Sequence, residues 1–358
     1  MSSGGAERVA STLVNAWVSR GVQVTLMPTF SRHGGCFYEL SPEVRLIYLA
    51  DLVSTEVKTW VNQLARLRAL RQFIATGRPD VIVSFLSNVN VAAVLASIGM
   101  GIPIIICERT DPFVIPTSRW LQLACRVVYP LADVLIVQTQ AVAAKYAASG
   151  WSLKRLKVIP NPVPEQMLNI QRYTNVATST KILLSIGRLD EGKQFALLIN
   201  VFAKLTRRYA NWSLRIIGEG DLRFALQQQI ASLGLESCIK LAGESEIIGE
   251  ELAQADIFAL TSKYEGFPNV LLEAMTVGLP CVSFNCPSGP REISMDGQIA
   301  LLVPLNDEQA LEFALERLML DANLRQTLGD QARISVLERF ALNKVLEQWE
   351  LLFQELGV

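Results

Sequence analysis

Apolar and polar positions alternate along this chain in blocks. A helical pattern over residues 6–19 opens it, preceded only by Met1-Ser2-Ser3-Gly4-Gly5, so a glycine turn leads into a helix with no strand ahead of it. Short β-branched-rich runs then follow at 22–27, 44–48, 81–85, 104–107 and 134–137, with helical segments mostly between them. That alternation predicts a doubly wound, parallel α/β sheet. Residues 158–164 place three prolines in five positions, which forbids regular structure and reads as an interdomain linker. Beyond it the alternation resumes: strands at 182–186, 213–217, 239–241, 257–260 and 280–284, with helices around 195–209 and from Leu222. A second domain thus repeats the first. The last segment, 342–356, lines Leu342, Val345, Leu346, Trp349, Leu352 and Phe353 along one helical stripe.

Residues 81–107 carry no charge and could be mistaken for a membrane span. Ser84, Ser87, Asn88, Asn90, Gly99, Gly101 and Pro103 interrupt the stretch, so a strand at 81–85, a short helix at 89–98 and a strand at 103–107 fit better. A length of 358 residues agrees with about two domains. With half the residues hydrophobic and 19% charged, disorder and coiled coil are excluded as the main theme. The formal net charge of -1 argues against a nucleic-acid binder, yet residues 1–160 carry 16 Lys and Arg against 9 Asp and Glu, net +7, which leaves the remainder at net −8. Six scattered cysteines without a C-x-x-C pair or a leader read as a reduced, cytoplasmic chain. The single histidine, His33, removes His-rich zinc sites and His-based triads from consideration.

Several glycine turns stand where strands end or helices begin. Gly4 and Gly5 open the first helix, where bare backbone N–H groups and the helix dipole suit an anion; a plain helix start is an equal reading. Gly187-Arg188-Leu189-Asp190-Glu191-Gly192-Lys193 follows an apolar strand, the place where open α/β sheets bind ligands, and its two cations suit a diphosphate. Gly218 and Gly220 end the next strand, and a tight turn alone would explain them. Glu265-Gly266-Phe267-Pro268-Asn269-Val270-Leu271-Leu272-Glu273 puts two carboxylates on either side of a turn that leads into a helix. Such a pair can accept hydroxyl hydrogen bonds at both ends of an anionic ligand, which describes a nucleoside diphosphate sugar. Glu108 and Asp111 sit at the end of a first-domain strand, where orienting an acceptor hydroxyl and a structural role are equal readings.

The Glu265-to-Glu273 segment resembles the E-x7-E signature of family 4 retaining glycosyltransferases, and Gly187-Arg188 with Lys193 resembles their phosphate-binding pair. Ser3-Gly4-Gly5-Ala6-Glu7-Arg8, Cys107-Glu108-Arg109-Thr110-Asp111-Pro112 and Pro287-Ser288-Gly289-Pro290-Arg291-Glu292 resemble bacterial members that extend polyprenyl-diphosphate-linked oligosaccharides. The resemblance implies a GT-B fold: two Rossmann-like domains facing across a cleft, 1–160 binding the acceptor and 165–337 the nucleotide sugar, with 338–358 returning to the first. It implies that Glu265, Gly266 and Phe267 contact the transferred sugar, that Pro268, Asn269 and Val270 lie at the diphosphate turn, and that Glu273 holds the ribose. Arg188 and Lys193 would steady the leaving diphosphate, with Gly187 and Gly218 lining the donor side and Gly4 and Gly5 facing it from the first domain.

Two departures accompany the resemblance. The family's first strand has no counterpart ahead of the glycine turn, implying a truncated start or a reading frame that opens upstream. Residues 243–246, in the place of the nucleobase loop, lack the usual aromatic. The expected reaction is metal-free sugar transfer from a nucleotide sugar, a UDP-sugar by expectation, to a glycan or polyprenyl-diphosphate-linked acceptor, with no cofactor. A nucleotide-sugar-binding pseudoenzyme or partner subunit, and a GT-B nucleotide-sugar epimerase, are the alternatives. Lys58, Arg66, Arg68 and Arg71 punctuate a helical stretch at 57–74, which reads equally as a solvated face or as a peripheral contact with an anionic cytoplasmic membrane.

Overall fold

The structure, a computed structural model, describes residues 5–30, 38–53, 60–114, 117–172 and 180–358. Gly4, His33, Cys36 and Lys58 lie outside the described residues. The chain divides into two compact units, Met1–Pro162 with Val345–Val358, and Val163–Lys344.

The first unit runs α1 (Gly5–Ser19), β1 (Thr25–Leu26), β2 (Arg45–Leu46), α2 (Trp60–Gly77), β3 (Ile82–Phe85), α3 (Ser87–Ser97), β4 (Ile104–Cys107), α4 (Arg119–Val128), β5 (Val134–Val137), α5 (Gln140–Ala148) and β6 (Leu156–Val158). Strands β3-β4-β5-β6 form a parallel sheet in that order, and β1 and β2 form a separate parallel pair. Every residue of β4 and β5 is buried, so these strands are unbroken apolar runs rather than alternating ones. The expected strands at 22–27 and 44–48 shrink to two residues each, and Val22 is 49% exposed; among the described residues these strands pair only with each other, so just the two facing pairs Thr25–Arg45 and Leu26–Leu46 are held.

The second unit runs α6 (Glu165–Leu168), β7 (Lys181–Ile186), α7 (Phe195–Thr206), β8 (Trp212–Ile217), α8 (Arg223–Ser232), β9 (Ile239–Gly243), α9 (Ile248–Gln254), β10 (Ile257–Leu260), α10 (Asn269–Thr276), β11 (Cys281–Phe284), α11 (Pro290–Ile293), β12 (Leu301–Val303), α12 (Glu308–Leu320) and α13 (Ala322–Phe340). Its six parallel strands take the order β12-β11-β10-β7-β8-β9. The winding reverses beside β7, so β7 and β10 flank the topological switch point, where doubly wound sheets bind ligands at the strands' carboxyl ends.

The last helix, α14 (Leu342–Leu356), joins the first unit from Val345 onward. Its apolar stripe covers α1: Trp349 is fully buried with its ring 5.3 Å from that of Trp17, edge-on, and Phe353 lies 5.7 Å from Trp17. Polar ends reinforce the contact. Arg20 pairs with Glu350, while Glu355 accepts from Arg155 at 2.9 Å and Lys157 at 3.0 Å. The proline segment at 158–164 is not a loose strap: Asn161 and Val163 are buried, and the Val163 N–H donates to Phe340 O at 2.8 Å.

Candidate active site

Three loops meet at the carboxyl ends of β7, β8 and β10. After β7 the Gly187 N–H donates to Ile217 O at 2.9 Å, holding the loop to the end of β8. Gly218 must be glycine: its φ is +137°, and a Cβ there would lie 1.9 Å from Gly187 O. Gly220, with φ +158°, presses on Leu189 in the same way. These two glycines do more than turn the chain, because their bareness lets one loop lie against the other.

Within the β7 loop, Asp190 Oδ1 accepts the N–H groups of Gly192 at 2.9 Å and Lys193 at 3.2 Å, bending the backbone around itself. The Lys193 stem lies against Gly187, where an added Cβ would meet its methylenes at 3.2 Å. The ammonium of Lys193 donates to Glu265 Oε1 at 2.5 Å, and Ser262 Oγ donates to the same oxygen at 2.6 Å. Thr261 Oγ1 donates to Lys193 O at 2.8 Å and the Lys263 N–H to Gly192 O at 2.7 Å, so the β7 and β10 loops are laced together. The Arg188 side chain, in contrast, is 77% exposed and only 3.9 Å from Asp190.

Beyond Glu265 the chain turns through Gly266 and Phe267 into α10. The Gly266 carbonyl accepts from Ser288 Oγ at 2.8 Å, and Phe267 is buried with its ring 5.8 Å from Phe340. Gly289, at φ +99°, lets the following segment lie against Pro268, where a Cβ would come within 2.3 Å of Pro268 Cδ. Asn269 and Val270 begin α10 half-buried, and Glu273 is buried in its second turn. Cys286, close enough to feel both Glu265 and Lys193, has its thiol pushed up to about 12 by burial and is a neutral wall.

In the first unit, Glu108 follows β4 and is 2% exposed. Tyr129 Oη donates to one of its oxygens and Ser87 Oγ to the other at 2.9 Å, while burial lifts its pKa to about 7. Arg109 is buried over the Phe85 ring at 4.7 Å and donates to Asn161 Oδ1 at 2.6 Å, and Gln138 donates to the same oxygen at 3.1 Å. Asp111, fully buried, accepts from Lys145 at 2.5 Å and from the Phe113 N–H at 3.0 Å. Glu108 and Asp111 therefore have partners within their own unit. Sequence reasoning missed Ser87, Tyr129, Lys145 and Ser262, none of which lies in a motif and each of which is found only by what it touches; Asp190 stands inside the 187–193 motif, but its part in bending the loop is visible only in the structure. Gly5 begins α1 and is exposed. Among the described residues no three His, Cys, Asp or Glu side chains gather as metal ligands.

The fold, with Arg188, Lys193 and Glu265 on its switch-point loops and Glu273 on the helix that follows, is that of a two-unit α/β transferase. Two family models match: Glycosyl transferase 4-like domain over residues 4–162, and Glycosyl transferases group 1 over residues 168–335. Together they span nearly the whole chain, and it belongs to these glycosyltransferases. A Campylobacter jejuni relative, GalNAc-alpha-(1->4)-GalNAc-alpha-(1->3)-diNAcBac-PP-undecaprenol alpha-1,4-N-acetyl-D-galactosaminyltransferase, is 29% identical over 99% of this chain and 96% of its own. Among solved structures, sucrose-phosphate synthase from Thermosynechococcus elongatus superposes with TM-score 0.86 at 19% identity, covering 99% of this chain and 94% of that one. Anabaena HepE in complex with UDP and glucose gives TM-score 0.79 at 20% identity, covering 98% and 96%. The GT-B fold is thereby established.

Proposed function

We propose that this glycosyltransferase moves a sugar, with retention, from a UDP-sugar to a polyprenyl-diphosphate-linked glycan, without metal or other cofactor and without any nucleic-acid partner. The observation that carries the reading is the Lys193–Glu265 pair, held between two loops at the switch point of the second unit. An ammonium has three donors, so Lys193 can keep Glu265 and still reach a phosphate oxygen. Arg188, exposed beside the loop, closes on the diphosphate as a fork. Glu265 meets the transferred sugar, and the backbone of Gly266 and Phe267 supports that contact. Pro268 sets the turn, Asn269 and Val270 bring the start of α10 to the diphosphate, and Glu273 takes the ribose hydroxyls. Gly187 and Gly218 keep the approach bare, while Gly5, the first residue of α1, offers its N–H group.

As the bond from the anomeric carbon to the diphosphate breaks, negative charge grows on the leaving oxygen, where Arg188 and Lys193 concentrate positive charge. The acceptor oxygen forms its bond on the same face and gives its proton to that oxygen. Glu108 and Asp111 order the loop at the carboxyl end of β4 that receives the acceptor. The acceptor class is supported by the C. jejuni relative, whose name specifies a PP-undecaprenol glycan, and the donor by the UDP bound to HepE. No helix of the described residues is long and apolar enough to cross a membrane, so contact with a lipid-linked acceptor on the cytoplasmic face is peripheral in this reading. Incubation of the purified chain with labelled UDP-sugars and crude membranes tests it; no transfer of any label to lipid would reject it.

A further inference from the structure

Two arginines of α2 are engaged within the first unit. Of its cations, Arg71 donates to the carbonyls of Ala96 at 3.0 Å and Ile98 at 2.9 Å, capping the end of α3, and Arg66 donates to Thr29 O at 3.3 Å. Both arginines hold the unit together. The helix that stands out is α4, RWLQLACRVV, which packs on α3 and contains no acidic residue.

At about 100° per residue, the apolar residues of α4 spread over an arc of roughly 200°. One half of the arc is used: Cys125 and Val128 are buried and Leu121 and Ala124 half-buried. The other half faces out, with Trp120 82% exposed, Leu123 53% and Val127 64%. Leu131, 48% exposed, continues the stripe beyond the helix. Arg119 and Arg126, one heptad apart and both exposed, flank it along a single edge. Past Leu131 the charges are Lys154 and Asp133, already paired at 2.9 Å.

We infer that the exposed face of α4, led by Trp120, Leu123 and Val127 and edged by Arg119 and Arg126, docks this unit on an anionic lipid bilayer. Charge complementarity chooses the occupant. Residues 1–162 are net +7 and the three glutamates of 345–358 leave the whole unit at net +4, the stripe is edged by arginine alone, and an exposed tryptophan with leucine and valine suits the headgroup boundary. Anchoring through one short helix is reversible, as a transferase that visits successive lipid-linked acceptors requires. The inference deepens the proposed acceptor class and rests on it for its purpose, but vesicle binding is measured without sugar transfer, so either can fail alone.

Sedimentation with vesicles of phosphatidylglycerol and phosphatidylcholine in equal parts is the test. Wild type should bind at low salt, and less so at high salt or to phosphatidylcholine alone. Arg119→Gln and Arg126→Gln should each weaken binding about fivefold. The triple variant Trp120→Ser, Leu123→Ser, Val127→Ser should lose about tenfold or more. Tryptophan emission should be quenched by brominated lipid in wild type and less so in Trp120→Phe, a variant that keeps the fold. Absence of wild-type binding, unchanged sedimentation of the folded triple variant, or equal quenching in Trp120→Phe would overturn the inference. So would light scattering showing that the stripe joins two copies of the chain in lipid-free solution.

Discussion

Gly218 and Gly187 touch so closely that the missing Cβ of Gly218 would sit 1.9 Å from the Gly187 carbonyl oxygen, at a φ of +137°. Gly218→Ala therefore forces the β7 and β8 loops apart and strains its own backbone. The expected cost is about 2–4 kcal/mol of stability, with donor binding weakened as well. Urea unfolding and UDP titration check this; an unchanged midpoint with unchanged UDP affinity would contradict it.

Charge at the laced loops should matter more than shape. Replacing Lys193, Glu265 or Glu273 by Gln keeps most of the volume and removes a charged partner. Each change should lower kcat/KM by roughly tenfold to a hundredfold, the equivalent of about 1.5–3 kcal/mol. On the proposed reading, in which this cation serves the diphosphate, Lys193→Gln should raise the UDP dissociation constant too. Near-normal turnover in any of the three folded variants would remove that residue from the machinery.

Glu108 ties stability to pH. Burial lifts its carboxyl from 4.5 to about 7, so between those values the folded chain keeps a proton that the unfolded chain has released. The native state then binds more protons, and stability falls as pH rises through that window and levels off above it. The contribution is up to about 3 kcal/mol. Glu108→Gln should flatten this slope and leave the variant more stable than wild type at about pH 8. Unfolding curves from about pH 5 to about pH 8 read the difference directly, and parallel slopes in the two proteins would count against it.

Removing the ring of Trp349, fully buried and 5.3 Å from that of Trp17, should destabilise the first unit although it lies almost two hundred residues downstream of that unit's last strand. Trp349→Ala is expected to cost about 3–5 kcal/mol. Native-state hydrogen exchange should show the loss in α1. Protection there equal to wild type would mean that α14 is dispensable to the unit.

Much of this architecture could be read from residues alone, for a physical reason. Strands such as β4 and β5 are buried on both faces, so their apolar runs are continuous and unmistakable. β6 was not singled out because Lys157 splits its apolar residues, and β12 because it spans only three residues. Arg188, Lys193 and Glu265 stand out because each lies beside a glycine turn at a strand end, and Glu273 because it falls eight positions after Glu265 on the helix that the turn leads into. That Lys193 meets Glu265 across 72 residues was not legible, because spacing along the chain does not reveal that β7 and β10 are neighbours. The partners of Glu108 were hidden likewise: Ser87 and Tyr129 each lie 21 residues away, on opposite sides of it in the chain.

The central claim is retaining, metal-free transfer from a UDP-sugar to a lipid-linked acceptor. It is tested most directly by incubating the purified chain with a panel of UDP-sugars and polyprenyl-diphosphate-linked glycans in excess EDTA, then reading the new linkage by NMR. An α-linked product from an α-linked donor, formed at an undiminished rate in EDTA, is the expected result. A β linkage, abolition by EDTA with rescue by manganese, or no product with any donor would contradict it.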